Sequence, residues 1–362
     1  MAIVVDAHSD LLSDILGRRA AGQTKVLESI WLPAMAAGGI DVRVAAIYSG
    51  PQYLPELALR RALDEVAGFL DEVDATPGAA LCTTHDGILR AAAAGKRGFI
   101  LGMEGVEPLG ADLNLLRVFY ALGVRVLGIT HALRNYAADG AFFEPKRTGL
   151  VGGLSDFGVA LVEKAQAMGM LLDVSHLNDP GFWDVVKLSR APIIASHSNC
   201  RALADHPRNL TDEQIKAVAD IGGVIGINSI ARFVVPPDLP HLMDHVDRLV
   251  KIAGKEHVGL GLDFCYYLLE HKSPVERSGM RPGAYLSVDG LAGDHDVPKI
   301  PVLLAERGYS SDTIDLIMGG NFLRVFKTLC SRPPAASASI RDQRTSPSPM
   351  PTASQWSPAS SG

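Results

Sequence analysis

Cysteine is scarce: the 362 residues hold four thiols, Cys82, Cys200, Cys265 and Cys330, with no CxxC spacing among them. This suits reduced thiols in a cytoplasmic protein better than a disulfide framework. No apolar run is long enough to span a bilayer. The opening MAIVVDAHSD has no basic leader and reaches polar residues too soon for a secretory signal, and the carboxyl end lacks the hydrophobic tail of a lipid anchor. A large excess of charge of one sign is missing. A net −6 gives no footprint for nucleic acid or an anionic membrane. There is no GxGxxG in a strand–helix context, no Walker loop and no GxSxG elbow, so no dinucleotide, P-loop or serine-hydrolase site is expected. The expectation is a cytoplasmic protein with no membrane anchor and no nucleic-acid partner, acting on something small.

What is there is ordinary for a globular enzyme, 47% apolar and 20% charged. Eight short apolar runs recur: IVVDAH, DVRVAAIY, GFILGM, RVLGIT, MLLDVSH, PIIASH, GGVIGIN and HVGLGLDF. They are apolar throughout and do not alternate, which marks burial on both faces and parallel pairing. Helical segments such as LPELALRRALDEVAGFLDEV lie between them. The alternation argues α/β, and eight strands favour a (β/α)8 TIM-type barrel over an open sheet. Barrels of this length form one domain, so residues 1–330 read as a single barrel. From about Ser331 the chain turns to SRPPAASASIRDQRTSPSPMPTASQWSPASSG, a Ser/Pro-rich stretch read as a disordered tail over 331–362.

A barrel of this class builds its active site at the carboxyl ends of its strands. The first strand ends at His8 and Asp10, and later strand ends carry Glu104, His131, His176, His197 and Asp263. Singly, each has a plain explanation: a core histidine, or an acidic helix cap. Together they form a rim of buried carboxylates and imidazoles that is costly to assemble without a cation. Imidazole with carboxylate suits Zn2+, and also Mn2+ or Fe2+. Three histidines plus Asp10 and Glu104 exceed the needs of one tetrahedral zinc and serve two ions if Glu104 bridges them. A two-metal site can deprotonate a water while polarising the carbonyl under attack. If His131 is not a ligand, it is placed to stabilise a developing oxyanion.

Weaker signals surround these. Arg201, His206 and Arg208 follow His197 closely, and a guanidinium there is suited to clamp a substrate carboxylate. A surface arginine is the plainer reading for Arg201, less so for Arg208. His241 and His245 have the i, i+4 spacing of a metal pair, but the Glu of HExxH is missing, and the pair reads as a helix-face coincidence. GGNFLRV around Asn321 reads as a helix start.

The motifs DAHSD, GMEG, ITH, LLDVSH, PIIASHSNCRALADHPRNLTDEQI, GGVIGIN, HVGLGLDF and GGNFLRV occur in an order that resembles the membrane (renal-type) dipeptidase family. These are zinc metallopeptidases of the amidohydrolase superfamily. The resemblance covers residues 1 to about 330, and the long block around His197 is its most specific part. An Asp in the second place of His8-x-Asp10, where many related hydrolases have His-x-His, points to the dipeptidase branch. The resemblance implies two Zn2+ per chain, other divalent metals being possible. One ion takes His8, Asp10 and Glu104, the other Glu104, His176 and His197. It implies that His131 contacts the scissile carbonyl and Arg208 the free carboxylate of a dipeptide. Asp263 takes the proton of a hydroxide held between the ions and passes it to the leaving amine. It also suggests a homodimer. Two departures stand out: DFCYYL replaces the usual Asp-Phe-Asp-Gly after Asp263, altering a pocket loop, and GLSDFG replaces a Thr-Pro helix start, a cap variation. The expected activity is hydrolysis of L,L or L,D dipeptides. Its rivals are an amidohydrolase of N-acyl amino acids or cyclic amides, and a metal-poor barrel acting as a binding protein.

Overall fold

β-Branched and leucine-rich runs that are buried on both faces can only pair inside a layered fold, and here they pair in parallel. In a computed structural model, described over residues 2–142, 151–271 and 286–329, nine strands appear. They are β1 (Val5–Ser9), β2 (Val42–Ile47), β3 (Ala79–Leu81), β4 (Arg97–Glu104), β5 (Val124–Gly128), β6 (Leu171–Asp173), β7 (Ile194–Ala195), β8 (Val224–Ile227) and β9 (Val258–Leu260). Eight of them close a ring in the order β1-β2-β4-β5-β6-β7-β8-β9 and back to β1, the expected (β/α)8 barrel. Each of the eight apolar runs supplies one strand. The ninth, β3, lies beside the start of β4 outside the ring. Its three residues, AAL, are too few and too alanine-rich to stand out in the sequence. The tail expected from Ser331 onward lies outside the described residues, as does Cys330. Cys82, Cys200 and Cys265 are all buried and none is in a disulfide.

Alternate strand residues point to opposite faces. Val5, Val42, Val44, Ile100, Val126 and Val224 form one apolar cluster with Phe322 and Phe326. The two phenylalanines come from the helix Asn321–Phe326, which packs under the barrel at the end away from the strand carboxyl termini. Gly259 allows this, since a Cβ there would meet the Phe322 ring at 2.4 Å. Asn321 does not cap that helix. Its Nδ2 donates to Lys255 O at 2.7 Å and Val258 O at 2.8 Å, holding the start of β9 instead. The reading of GLSDFG as a cap variation does hold: Ser155 Oγ accepts from Gly158 N at 3.1 Å at the start of the helix Asp156–Ala167.

The seam between β9, β1 and β2 is held by charge. Arg43 of β2, 1% exposed, donates from Nε to Asp6 of β1 at 3.1 Å and grips Asp294 with both Nη atoms at 3.0 and 2.7 Å. Asp6 Oδ1 in turn accepts from Leu262 N, just past β9, at 2.8 Å. The residues so fixed lie two before His8 and one before Asp263. A second buried acid steadies the mouth. In the helices α1 (Leu11–Ala20), α2 (Leu32–Ala37) and α3 (Ala58–Ala75), α3 carries Glu65. It accepts from Ser13 Oγ of α1 at 2.7 Å and from Tyr48 N, just past β2, at 3.0 Å.

Removing one partner of a buried ion pair leaves its mate charged and unpaired, at about 3–5 kcal/mol. Arg43→Ala is therefore expected to lower the unfolding free energy by about that amount in urea denaturation. A loss below about 1 kcal/mol, the scale of an exposed pair, would show that the seam does not depend on it.

Candidate metal centre

All seven expected residues arrive at the carboxyl end of the barrel. His8 lies within β1, and Asp10 follows β1 immediately. Asp10 precedes α1, yet its side chain makes no capping bond, so the plain reading of a helix cap does not apply. Glu104 is the last residue of β4; His131, His176, His197 and Asp263 stand in the loops after β5, β6, β7 and β9. Three non-glycine residues among those described have positive φ, and two are here: His176 (φ 70°) and Asp263 (φ 57°). Such backbone is costly for a side-chain-bearing residue and concentrates where a group must be aimed.

Glu104 Oε1 is the focus. It lies 2.9 Å from His176 Nε2, 3.5 Å from His8 Nε2 and 3.6 Å from His197 Nε2. The two facing nitrogens of His176 and His197 are 2.9 Å apart, and the His8 and His197 rings stack at 3.8 Å. His197 is oriented from behind: its Nδ1 meets Ser196 Oγ at 2.6 Å, and Ser196 Oγ donates to Asp173 Oδ2 at 2.5 Å. A hydroxyl that donates to a carboxylate accepts from the ring, so His197 carries its proton on Nδ1 and turns a lone pair of Nε2 to the site. Asp263 is oriented likewise, its Oδ2 accepting from Asn228 Nδ2 at 3.0 Å.

Burial is the main influence on every one of these groups. It pushes the Asp10 carboxyl up to about 6 and, with the neighbouring Asp10 charge, Asp263 up to about 7. Glu104 is held well above its usual range by burial and by the Asp10 and Asp263 charges. Burial and the nearby Arg208 cation push His8 and His131 down to about 3; His176 and His197 also lie well below the ordinary value. The imidazoles are thus neutral, the form in which histidine ligates. The carboxylates crowd one another without cations enough to balance them. His8 Nε2 and Asp10 Oδ1, on side chains 3% and 7% exposed by residue, have no hydrogen-bond partner among the described residues. Orphaned ligand atoms, neutral imidazoles and clustered acids fit divalent metal ions, which would keep the acids ionised.

Donor spacing alone divides the residues differently from the expected two sets. Ligand atoms lie within 4.8 Å of one another in three groups: His8, Glu104 and His197; Glu104, His131 and His176; His8, Asp10 and Asp263. Beside them opens a pocket of about 230 Å3, walled by Tyr48, Ile230, Phe233 and Leu268 and reached by Arg232 and Cys265. Arg208 does not line it. Arg208 is 2% exposed, and its guanidinium donates to His197 O at 2.9 Å and lies 5.5 Å from the ring of the wall residue Phe233.

A sequence profile described as membrane dipeptidase, peptidase family M19, matches residues 1–274. The chain belongs to this family. The dipeptidase verJ of Clonostachys rogersoniana is 33% identical over 245 residues, which are 65% of this chain and 56% of verJ. An uncharacterized protein in the pqqA 5' region of Klebsiella pneumoniae is 34% identical over 240 residues, 64% of this chain and 80% of that protein. The alignment thus spans little more than half of verJ. A metallopeptidase of Rhodobacter sphaeroides, crystallised with a phosphinate mimic of the dipeptide L-Ala-D-Ala, has a similar fold. Its TM-score is 0.79 at 27% identity, over 91% of this chain and 100% of that one. As a member of the membrane dipeptidase family the chain is a hydrolase of the dipeptidase class, and metal ions belong to its chemistry. Despite the family's name, no helix among the described residues is long and apolar enough to cross a membrane.

The remaining sequence signals fall outside the centre of this membrane dipeptidase relative. Arg201 is held in a two-pronged pair with Asp179 at 2.8 and 2.7 Å, a structural role. His241 bonds Asp238 at 2.7 Å, and the buried His245 accepts from Cys200 N at 3.0 Å, so the two do not form a metal pair. Asn135 shapes the loop after β5, donating to Ile129 O at 2.8 Å. Asn228, Asp173 and Ser196 were legible by the same strand-end rule that found the histidines, since each stands in or just beyond a quoted strand motif. Tyr48, which ends the run DVRVAAIY, was legible in the same way, whereas Arg232 had no such signal.

His176→Ala removes a nitrogen 2.9 Å from Glu104 and is expected to lower the divalent metal retained per chain after dialysis, read by inductively coupled plasma mass spectrometry. Retention equal to the wild type would remove His176 from the ligand set.

Proposed function

We propose that the protein hydrolyses dipeptides at a centre of two zinc ions, with Glu104 between them. His8 and Asp10 complete one ion's ligands, and His176 and His197 the other's. The observation that carries this is the position of Glu104 Oε1 among His8, His176 and His197, all within 3.6 Å. When bound, such ions polarise a carbonyl and supply a nucleophilic oxygen at neutral pH. The chain's own groups do the rest. Asp263, fixed by Asn228, takes a proton on the pocket side and returns it to the leaving amine. His131, at the pocket wall, donates toward the oxygen on which charge develops. Arg208 draws the free carboxylate of the substrate, its charge reaching all four imidazoles of the site.

A pocket of about 230 Å3 beside the ligand cluster, with Tyr48, Ile230, Phe233 and Leu268 in its walls, suits a substrate as small as a dipeptide. Substrates are L,L and L,D dipeptides with small or apolar side chains. The Rhodobacter relative, which holds a mimic of L-Ala-D-Ala, supports including the L,D series. We also assign the protein to the cytoplasm, on its unpaired buried thiols, and to a homodimer, on its family resemblance.

The test is a panel of L,L and L,D dipeptides set against N-acyl amino acids and cyclic amides. Dipeptide hydrolysis that chelation abolishes and zinc restores is the expected result. Activity confined to the N-acyl compounds would sink the dipeptidase reading. Arg208→Met should raise KM about tenfold at little-changed kcat, since a cation that draws the carboxylate by its field acts on binding and not on the chemical step. Unchanged KM would remove Arg208 from carboxylate binding.

A further inference from the structure

Cys265 is the chain's own departure at the pocket, standing where the resembling family carries a carboxylate. It is 7% exposed and lies two residues past Asp263, whose positive φ turns the loop back over the barrel mouth. Three acceptors surround its sulfur: Asp263 O at 3.1 Å, Asp263 Oδ1 at 3.2 Å and Asp10 Oδ2 at 3.7 Å. The other oxygen of Asp263 is already held by Asn228. Asn228 and Cys265 together therefore fix both oxygens of that carboxylate, and with them its plane. On the far side of the thiol, Asp10 leaves Oδ1 unpartnered among the described residues, on a side chain aimed at the same ligand cluster. The thiol thus sits between an acid of the ligand set and the acid that moves the proton.

We propose that Cys265 is a positioning residue, whose S–H donates to the Asp263 carboxylate and holds it in line for proton transfer without itself binding the metal. The sulfur is not in any of the three close donor groups, while the side chains of Asp10 and Asp263 are. A thiol is small and brings one weak donor. A purely packing role is the competing account, since Cys265 also touches Ile230 and Phe233 in a small apolar cluster.

The inference rests on the dipeptidase reading, and its test separates the two. Wild type, Cys265→Ala and Cys265→Ser are compared for dipeptide hydrolysis, metal content, thermal stability and the near-ultraviolet spectrum of the cobalt-loaded protein. Loss of alignment in Cys265→Ala should lower kcat about tenfold with KM within about twofold, since small misplacements of this kind weaken the chemical step. Cys265→Ser, which keeps a donor, should recover most of the rate. Cobalt spectra should lack a sulfur-to-metal charge-transfer band, and metal content should be equal in all three. An unchanged kcat in Cys265→Ala overturns the proposal, as does a serine variant no better than alanine. A sulfur band present in wild type and absent from Cys265→Ala also overturns it, because the thiolate would then be a ligand. A wild type inert toward every dipeptide fails the underlying reading, and the cobalt spectra still decide whether Cys265 binds metal.

Discussion

Everything at the mouth of this barrel depends on one carboxylate oxygen, Glu104 Oε1, held among three imidazole nitrogens in a nearly dry site. Glu104 can be there because it ends β4, which pairs along its length with β2 and, toward its end, with β5. The histidines meet it because the chain spends unfavourable backbone at His176 and anchors His197 through Ser196 to Asp173. Burial drives acids up and imidazoles down, so the cluster is electrostatically incomplete. Divalent cations are what its chemistry requires.

The scaffold behind the cluster answers a mechanical need. A barrel closes where its first and last strands meet, and here the closing strand also carries His8. Arg43, Asp6 and Asp294 fix that seam, and Asp6 reaches across to Leu262 on the approach to Asp263. A shift in the seam would move His8, Asp10 and Asp263 together. The ion pairs are buried, so their attraction is largely offset by desolvation, while losing one partner would leave its mate charged and unpaired.

The sequence was most informative where one physical rule applied repeatedly. Apolar runs buried on both faces named eight strands, and the polar residues ending them named seven members of the cluster. The rule failed where strands are short or contacts are not local. The three alanine- and leucine-rich residues of β3 carry no pattern. GGNFLRV does open a helix at Asn321, but no local motif shows that this side chain tethers the helix to β9. Arg208 illustrates the limit of proximity in sequence. Its position after His197 suggested a clamp in the pocket, whereas it lies beside the wall residue Phe233, within reach of the site by its charge. Tyr48 reaches the site because Glu65, seventeen residues on, holds its backbone, a pairing no local motif records.

The central claim is that Glu104 stands between two ions. Anomalous diffraction at the zinc edge, from crystals of the zinc-loaded protein, tests it directly. The account predicts two peaks flanking the Glu104 carboxylate, one beside His8 and Asp10 and the other beside His176 and His197. A single peak, or peaks out of reach of Glu104, would contradict it.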